Sequence, residues 1–168
     1  MAIEYGDGSD SGSGRVVQVV TQTKGGVSST SSQSFVDIAG LSVSITPKSS
    51  SNKILVLYNV AHNCSSGAHS SIRLLRGSTL ISAGNSYGNQ TRCIGHTQGG
   101  GNSHYRVSTV GGQFLDSPNT TSSTTYKFQM ANPWSSSYST NINMVQPNEN
   151  AAYNPRTMSV ITLMEIAA

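Results

Sequence analysis

Charge is scarce in this sequence. Only 10% of its 168 residues are Asp, Glu, Lys or Arg, and the net charge is +3. Disordered chains and acidic or basic interaction tails depend on charge, so neither class describes this chain as a whole. A pI near 9.0 invites a nucleic-acid reading, but the ten Lys and Arg are scattered from Arg15 to Arg156 with no basic cluster. The electrostatic footprint of a nucleic-acid binder is missing. Cysteine is nearly absent: Cys64 and Cys93 stand alone, without metal-ligand spacing and too few for a disulfide framework. We expect both as thiols. No apolar run approaches the length that crosses a bilayer as a helix, and Met1-Ala2-Ile3-Glu4-Tyr5 lacks the basic and apolar regions of a signal peptide. Membrane insertion and signal-peptide export are therefore not expected.

What remains is a chain of Ser, Thr, Asn and Gly set between short apolar stretches, a composition of extended strands and polar turns. Its length suits one domain with one core. Period-two alternation begins at Arg15 and predicts strands over 15–23, 34–38, 41–46, 53–62, 69–76, 78–82, 91–97, 104–110, 112–116, 124–131, 139–146 and 156–166. In the clearest of these, Tyr126, Phe128 and Met130 face inward while Thr125, Lys127 and Gln129 face out. Turn punctuation separates the strands at Gly25-Gly26, Gly99-Gly100-Gly101, Ser117-Pro118-Asn119, Asn132-Pro133 and Pro147-Asn148. Many short strands without a crossover helix predict an all-β, antiparallel jelly-roll sandwich. No fixed-period repeat suggests a propeller or solenoid.

Two strands depart from simple alternation. Ile54 to Tyr58 and Met158 to Ile166 are apolar on both faces, as in a central strand or one covered by another subunit. Leu55, Leu57, Ile161 and Leu163 are accordingly the candidate contacts of a homotrimer. Residues 1–14 form a Gly/Ser-rich arm with little of its own to bury, preceding a head domain at 15–168. Ile3 and Tyr5 are the candidate anchors of this arm on a particle or on sister chains.

Motifs for chemistry are weak. Serine is too common for a Ser/His/Asp combination to be diagnostic, and no Gly-x-Ser-x-Gly elbow occurs. The seven acids, Glu4, Asp7, Asp10, Asp37, Asp116, Glu149 and Glu165, fall in the arm or mostly at strand ends and loops, where a lone acid is usually a turn former or surface group. Among His62, His69, His96 and His104, the pair His62 and His69 could approach across a hairpin. Their spacing matches no metal motif, so ordinary polar or axis-lining histidines are expected, with no metal and no cofactor. The Asp7 to Gly12 stretch resembles the start of a calcium loop but has Gln18 where a bidentate Glu is required. Sequons at Asn63, Asn89 and Asn119 are no more than this composition yields by chance.

The loop Asn132-Pro133-Trp134-Ser135-Ser136-Ser137-Tyr138 carries the single tryptophan among small polar residues. Aromatic rings beside amides and hydroxyls make binding surfaces, sugar-binding ones included, while a plug at the end of the sandwich would use the same ring. Trp134, Tyr138, Asn132, Tyr87 and Asn102 are the candidate contact residues, on loops near 84–89, 99–104 and 132–138.

The stretch Phe35-Val36-Asp37-Ile38-Ala39-Gly40-Leu41-Ser42-Val43-Ser44-Ile45-Thr46-Pro47, followed by Ser51-Asn52-Lys53-Ile54-Leu55-Val56, resembles small structural domains on phages of cyanobacteria and marine bacteria. Ile72-Arg73-Leu74-Leu75-Arg76-Gly77-Ser78-Thr79 is similar to that family's hairpin, and 153–166 to its terminal strand. The resemblance implies a trimeric tail-fibre or virion-knob head of the tumour-necrosis-factor and C1q type, with no catalytic residues. The expected function is then a non-enzymatic bacteriophage virion structural protein that contributes to host attachment. Its expected partners are other virion proteins (tail, baseplate or major capsid protein) and host cell-surface polysaccharide. Rival readings are a capsid decoration protein and a carbohydrate-active enzyme.

Overall fold

The structure, a computed structural model, describes residues 14–100 and 105–168. These contain eleven strands and no α-helix: β1 (Val16–Lys24), β2 (Ser28–Thr30), β3 (Val36–Ile45), β4 (Lys53–Cys64), β5 (His69–Arg76), β6 (Thr79–Ser82), β7 (Gly95–Gln98), β8 (Ser108–Asp116), β9 (Thr124–Ala131), β10 (Thr140–Ile142) and β11 (Ser159–Ile166). All pairings are antiparallel. The first sheet runs β1-β11-β4-β8, with β10 and β2 continuing beside the far end of β4; the second runs β3-β9-β5, with β6 and β7 along the remaining edge of β5. The chain passes from one sheet to the other at β3, β4, β5, β8, β9 and β10. That winding is a jelly roll, and it closes a sandwich around one core.

The core forms because alternate residues of both sheets point at one another. Ile54, Val56 and Val60 of β4, with Ile161 and Leu163 of β11, meet Ile72 and Leu74 of β5 and Tyr126, Phe128 and Met130 of β9. Phe128 and Tyr126 are wholly buried, and the Tyr58 ring lies 5.3 Å from that of Phe128. The inward alternation predicted for 124–131 holds in full.

Two predicted breaks are absorbed within strands. The gap expected at 39–40, between 34–38 and 41–46, is absent: β3 is continuous, and its register against β9 shifts between Asp37 and Ser42. Gly40 has φ 78°, a conformation open to glycine, and the resulting bulge sends both Ile38 and Leu41 inward. Likewise β8 runs through Gly111 and Gly112, because the missing Cβ of Gly112 leaves room for Tyr58: a Cβ there would lie 2.9 Å from its hydroxyl. Strand β2 was not anticipated, and β7 and β10 are shorter than the predicted 91–97 and 139–146.

The trimer-contact residues divide between two faces, which corrects half of that expectation. Ile161 and Leu163 are wholly buried in the chain's own core and offer nothing to another subunit. Leu55 and Leu57 lie on the opposite, outer face, where registration places Val19, Met164, Leu55 and Leu115 in one row across four strands. Val19 is 53% and Leu115 57% exposed. The outer face of the second sheet is polar instead. There Asp37 accepts from Lys127 and Gln129, Gln129 accepts from Arg73, and the Arg73 guanidinium stacks on Phe35 at 4.0 Å.

Three polar clusters tie the sandwich. Asp116, buried, accepts from Arg76 Nη1 and from the Tyr126 hydroxyl at 2.7 Å. Glu165, fully buried, accepts from Asn52 Nδ2, Gln18 Nε2 and the Lys48 backbone N–H. Burial pushes its carboxyl up, but those donors together outweigh burial and hold it below the usual value. His62 joins the sheets through Nδ1, 2.8 Å from Ser70 Oγ.

Burial, with the charge of His96 adding to it, pushes the His62 pKa from 6.5 down to about 4. The unfolded chain therefore takes up a proton that the folded chain refuses. The contribution of His62 to stability is full above pH 6.5 and falls as pH drops toward 4. The loss across that window is about 3 kcal/mol. Urea unfolding between those limits should show this decline, and His62→Gln should flatten it. An equal slope in the variant would assign the acid sensitivity elsewhere.

Candidate functional site

The loop after β9 is built around Asn132. Its Oδ1 accepts from the backbone N–H of Trp134 at 3.2 Å and of His69 at 3.3 Å; its Nδ2 donates to the carbonyls of Ser135 at 2.9 Å and Tyr138 at 3.1 Å. The side chain has two donors and room for two accepted bonds, so its capacity is filled. Asn132 is wholly buried. The expectation that it forms part of the contact surface is thus corrected: it is the frame of the loop, and its neighbours are the surface.

Trp134 projects from that frame, 64% exposed. Its ring packs at 5.6 Å against the ring of His69, the first residue of β5, and its carbonyl accepts from Gln33 Nε2. Tyr138 lies over Gly67 in the β4–β5 turn, where a Cβ would sit 3.4 Å from the phenol ring. The same turn is stapled to the loop by Ser65 and Ser139, which exchange hydrogen bonds. Gly99 seals it from below, since a Cβ at Gly99 would stand 2.3 Å from the Ser65 carbonyl. Small residues let three backbone segments close on one another and leave two aromatic rings outside.

His69 continues the surface toward β7. Registration pairs His69 with Gln98 and Ser71 with His96, so the two histidines are diagonal neighbours on one face. His69 Nδ1 lies 3.1 Å from His96 Nε2, and His96 Nδ1 lies 2.9 Å from Ser71 Oγ. Burial, reinforced by the neighbouring His69, lowers the His96 pKa, favouring the neutral ring. The hairpin pairing expected between His62 and His69 does not form. His62 points into the core from the other sheet, and His96 takes its place.

Of the sequence-predicted contact residues, Trp134 and Tyr138 share this end of the sandwich. Tyr87 is 76% exposed on the β6–β7 loop and is not part of the cluster. Asn102, Ile3, Tyr5 and His104 lie outside the described residues. His69, His96, Gly67 and Ser71 were not read as contact residues, because only the β5–β7 register and the return of the 132–138 loop bring them together. Cys64 and Cys93 are both free thiols. Burial raises each, and Cys64, pushed to about 11, stays protonated at neutral pH.

No family model matches the chain, and no curated protein matches it. Among solved structures, that of infectious bursal disease virus, Gx strain, is similar over 98% of this chain at 13% sequence identity and a TM-score of 0.43. This chain spans 41% of the length of that one.

The two roles within the loop are separable. Trp134→Ala should change stability by no more than about 0.5 kcal/mol, because the ring is largely solvated. Asn132→Ala should cost about 2–4 kcal/mol, since it takes the amide partner from the His69 and Trp134 N–H groups and from the Tyr138 carbonyl, while the Ser135 carbonyl keeps the Tyr138 N–H. Chemical denaturation of both variants checks the order; equal losses would mean that Trp134 is part of the packing.

Proposed function

We propose that this chain is a non-enzymatic structural protein of a bacteriophage particle, a trimeric fibre head or surface knob that contributes to host attachment. The observation that carries the reading is the contrast between the sandwich's two outer faces. One is a charged and amide-rich surface suited to water. The other holds the uncharged row Val19, Met164, Leu55 and Leu115, bordered on one side by Thr21, Thr162, Leu57 and Gln113 and on the other by Val16, Ile166 and Lys53. An apolar row of that kind has no sign of charge to match on a foreign partner; another copy of the same row fits it. The threefold arrangement follows the resemblance of 35–56 and 153–166 to phage head domains.

The carboxylates support a structural role. Asp37, Asp116 and Glu165 are each engaged in hydrogen bonds that tie strands together, so none is free to act as a paired acid and base. Trp134 and Tyr138, on a loop frozen by Asn132, supply a preformed aromatic edge suited to the faces of sugar rings, with hydroxyls of Ser136 and Ser137 beside it. Three such edges in fixed geometry would bind a repeating host polysaccharide by avidity rather than through one deep pocket.

Light scattering on the full chain should report three times 17.6 kDa. Leu115→Lys with Leu55→Lys should return the single-chain mass without unfolding the jelly roll. A native chain that runs at 17.6 kDa at micromolar concentration would remove the trimer.

Attachment is tested separately. The intact protein should compete with phage for adsorption to host cells, and Trp134→Ala should lose most of that competition. Labelling within the virion distinguishes location: density at the tail supports attachment, whereas density on the head lattice supports capsid decoration and removes attachment. Sustained release of oligosaccharide from host polysaccharide would overturn the non-enzymatic reading.

A further inference from the structure

We propose that His69 and His96 together chelate one divalent transition-metal ion of the zinc or copper class, at the surface beside Trp134. The inference is independent of the attachment reading. Two imidazole nitrogens bound to one tetrahedral zinc at about 2.0–2.1 Å each stand roughly 3.3 Å apart. His69 Nδ1 and His96 Nε2 are already 3.1 Å apart, with ring centroids separated by 5.2 Å. The site therefore needs a few tenths of an ångström of opening and a turn of roughly 35° by each ring, so that both lone pairs meet at the metal instead of facing each other, within the reach of two side chains on paired strands.

The surroundings prepare one ligand as well as place it. When His96 Nδ1–H donates to Ser71 Oγ, the lone pair of His96 is left on Nε2, directed at His69. Such a partner on the far nitrogen is the usual device that fixes a metal-binding histidine in its ligating tautomer. Ser71 is itself wholly buried in β5, where its side chain also hydrogen-bonds with Cys93, a contact that a serine at 93 can keep. In that tautomer the proton bridging the two rings belongs to His69 Nδ1, and metal binding moves it to His69 Nε2, so no net charge is lost from the protein.

Among the described residues, no group of three or more His, Cys, Asp or Glu side chains converges. The pair thus supplies two ligands and leaves the other positions to water or to an oxygen of a molecule resting on Trp134. That is the pattern of an open site, not of a closed structural one. Imidazole nitrogen suits zinc, copper and nickel, with copper bound most tightly, and disfavours magnesium.

The single tryptophan makes the test direct, because its ring is 5.6 Å from the ring of His69. The full chain, free of any affinity tag, is titrated with Cu(II) while Trp134 emission is followed. Most of the emission should be quenched at one equivalent and micromolar metal, Zn(II) should compete, and Mg(II) should not. His69→Gln and His96→Gln should each raise the copper concentration at half-quenching at least about tenfold. Cys93→Ser should leave the curve unchanged, which excludes thiol binding as the source. Zn(II) should also raise the thermal midpoint of the native chain and not that of either histidine variant. Quenching that survives both histidine substitutions, disappears in Cys93→Ser, or fails to occur in the native chain would overturn the proposal.

Discussion

Everything in this fold follows from a two-faced demand on one sheet. Strands β4 and β11 are greasy on both sides, but a sandwich has only one interior. Ile54, Val56, Ile161 and Leu163 are wholly buried in that interior. Leu55, Leu57, Met164 and Val160 are then obliged to face outward, because side chains alternate along a strand and a slip of one residue would exchange the two sets. The jelly roll winding brings β1 and β8 alongside and extends the outward set at both ends with Val19 and Leu115.

The inward set is held by more than apolar contact. Glu165 lies in the same alternation as Ile161 and Leu163, and the chain accommodates a carboxylate there by aiming neutral amides and a backbone N–H at it instead of a cation. Asp116 uses the other solution, an arginine and a tyrosine. Both carboxylates sit at the end of the sandwich opposite Trp134. One end is thus closed by buried acids, while the other is left to an aromatic loop.

Fold class was legible because alternation is a local property: Tyr126, Phe128 and Met130 declare their face without knowledge of any partner strand. Glycine misled the reading in a physically consistent way. The predicted strands break at 39–40 and at Gly111, whereas Gly40 admits a bulge and Gly112, inside the predicted 112–116, makes room for a neighbouring ring. Apolar on both faces was also an ambiguous signal, since sequence alone does not say which face a sheet turns inward, and Ile161 and Leu163 were assigned to the outside for that reason. Composition marks the loop at 132–138 but not which of its residues face outward. The amide of Asn132 looks like a surface group until its four partners are known, and His96 lies 38 positions from Trp134 along the chain.

The four hydrogen bonds of Asn132 have an evolutionary corollary. They grip only main-chain atoms of His69, Trp134, Ser135 and Tyr138, so the frame is indifferent to what those positions display. Side chains on the rim can be exchanged without renegotiating the architecture beneath, much as type is reset in a fixed forme. A lineage that must track a changing surface could therefore drift rapidly there while Asn132 stays put.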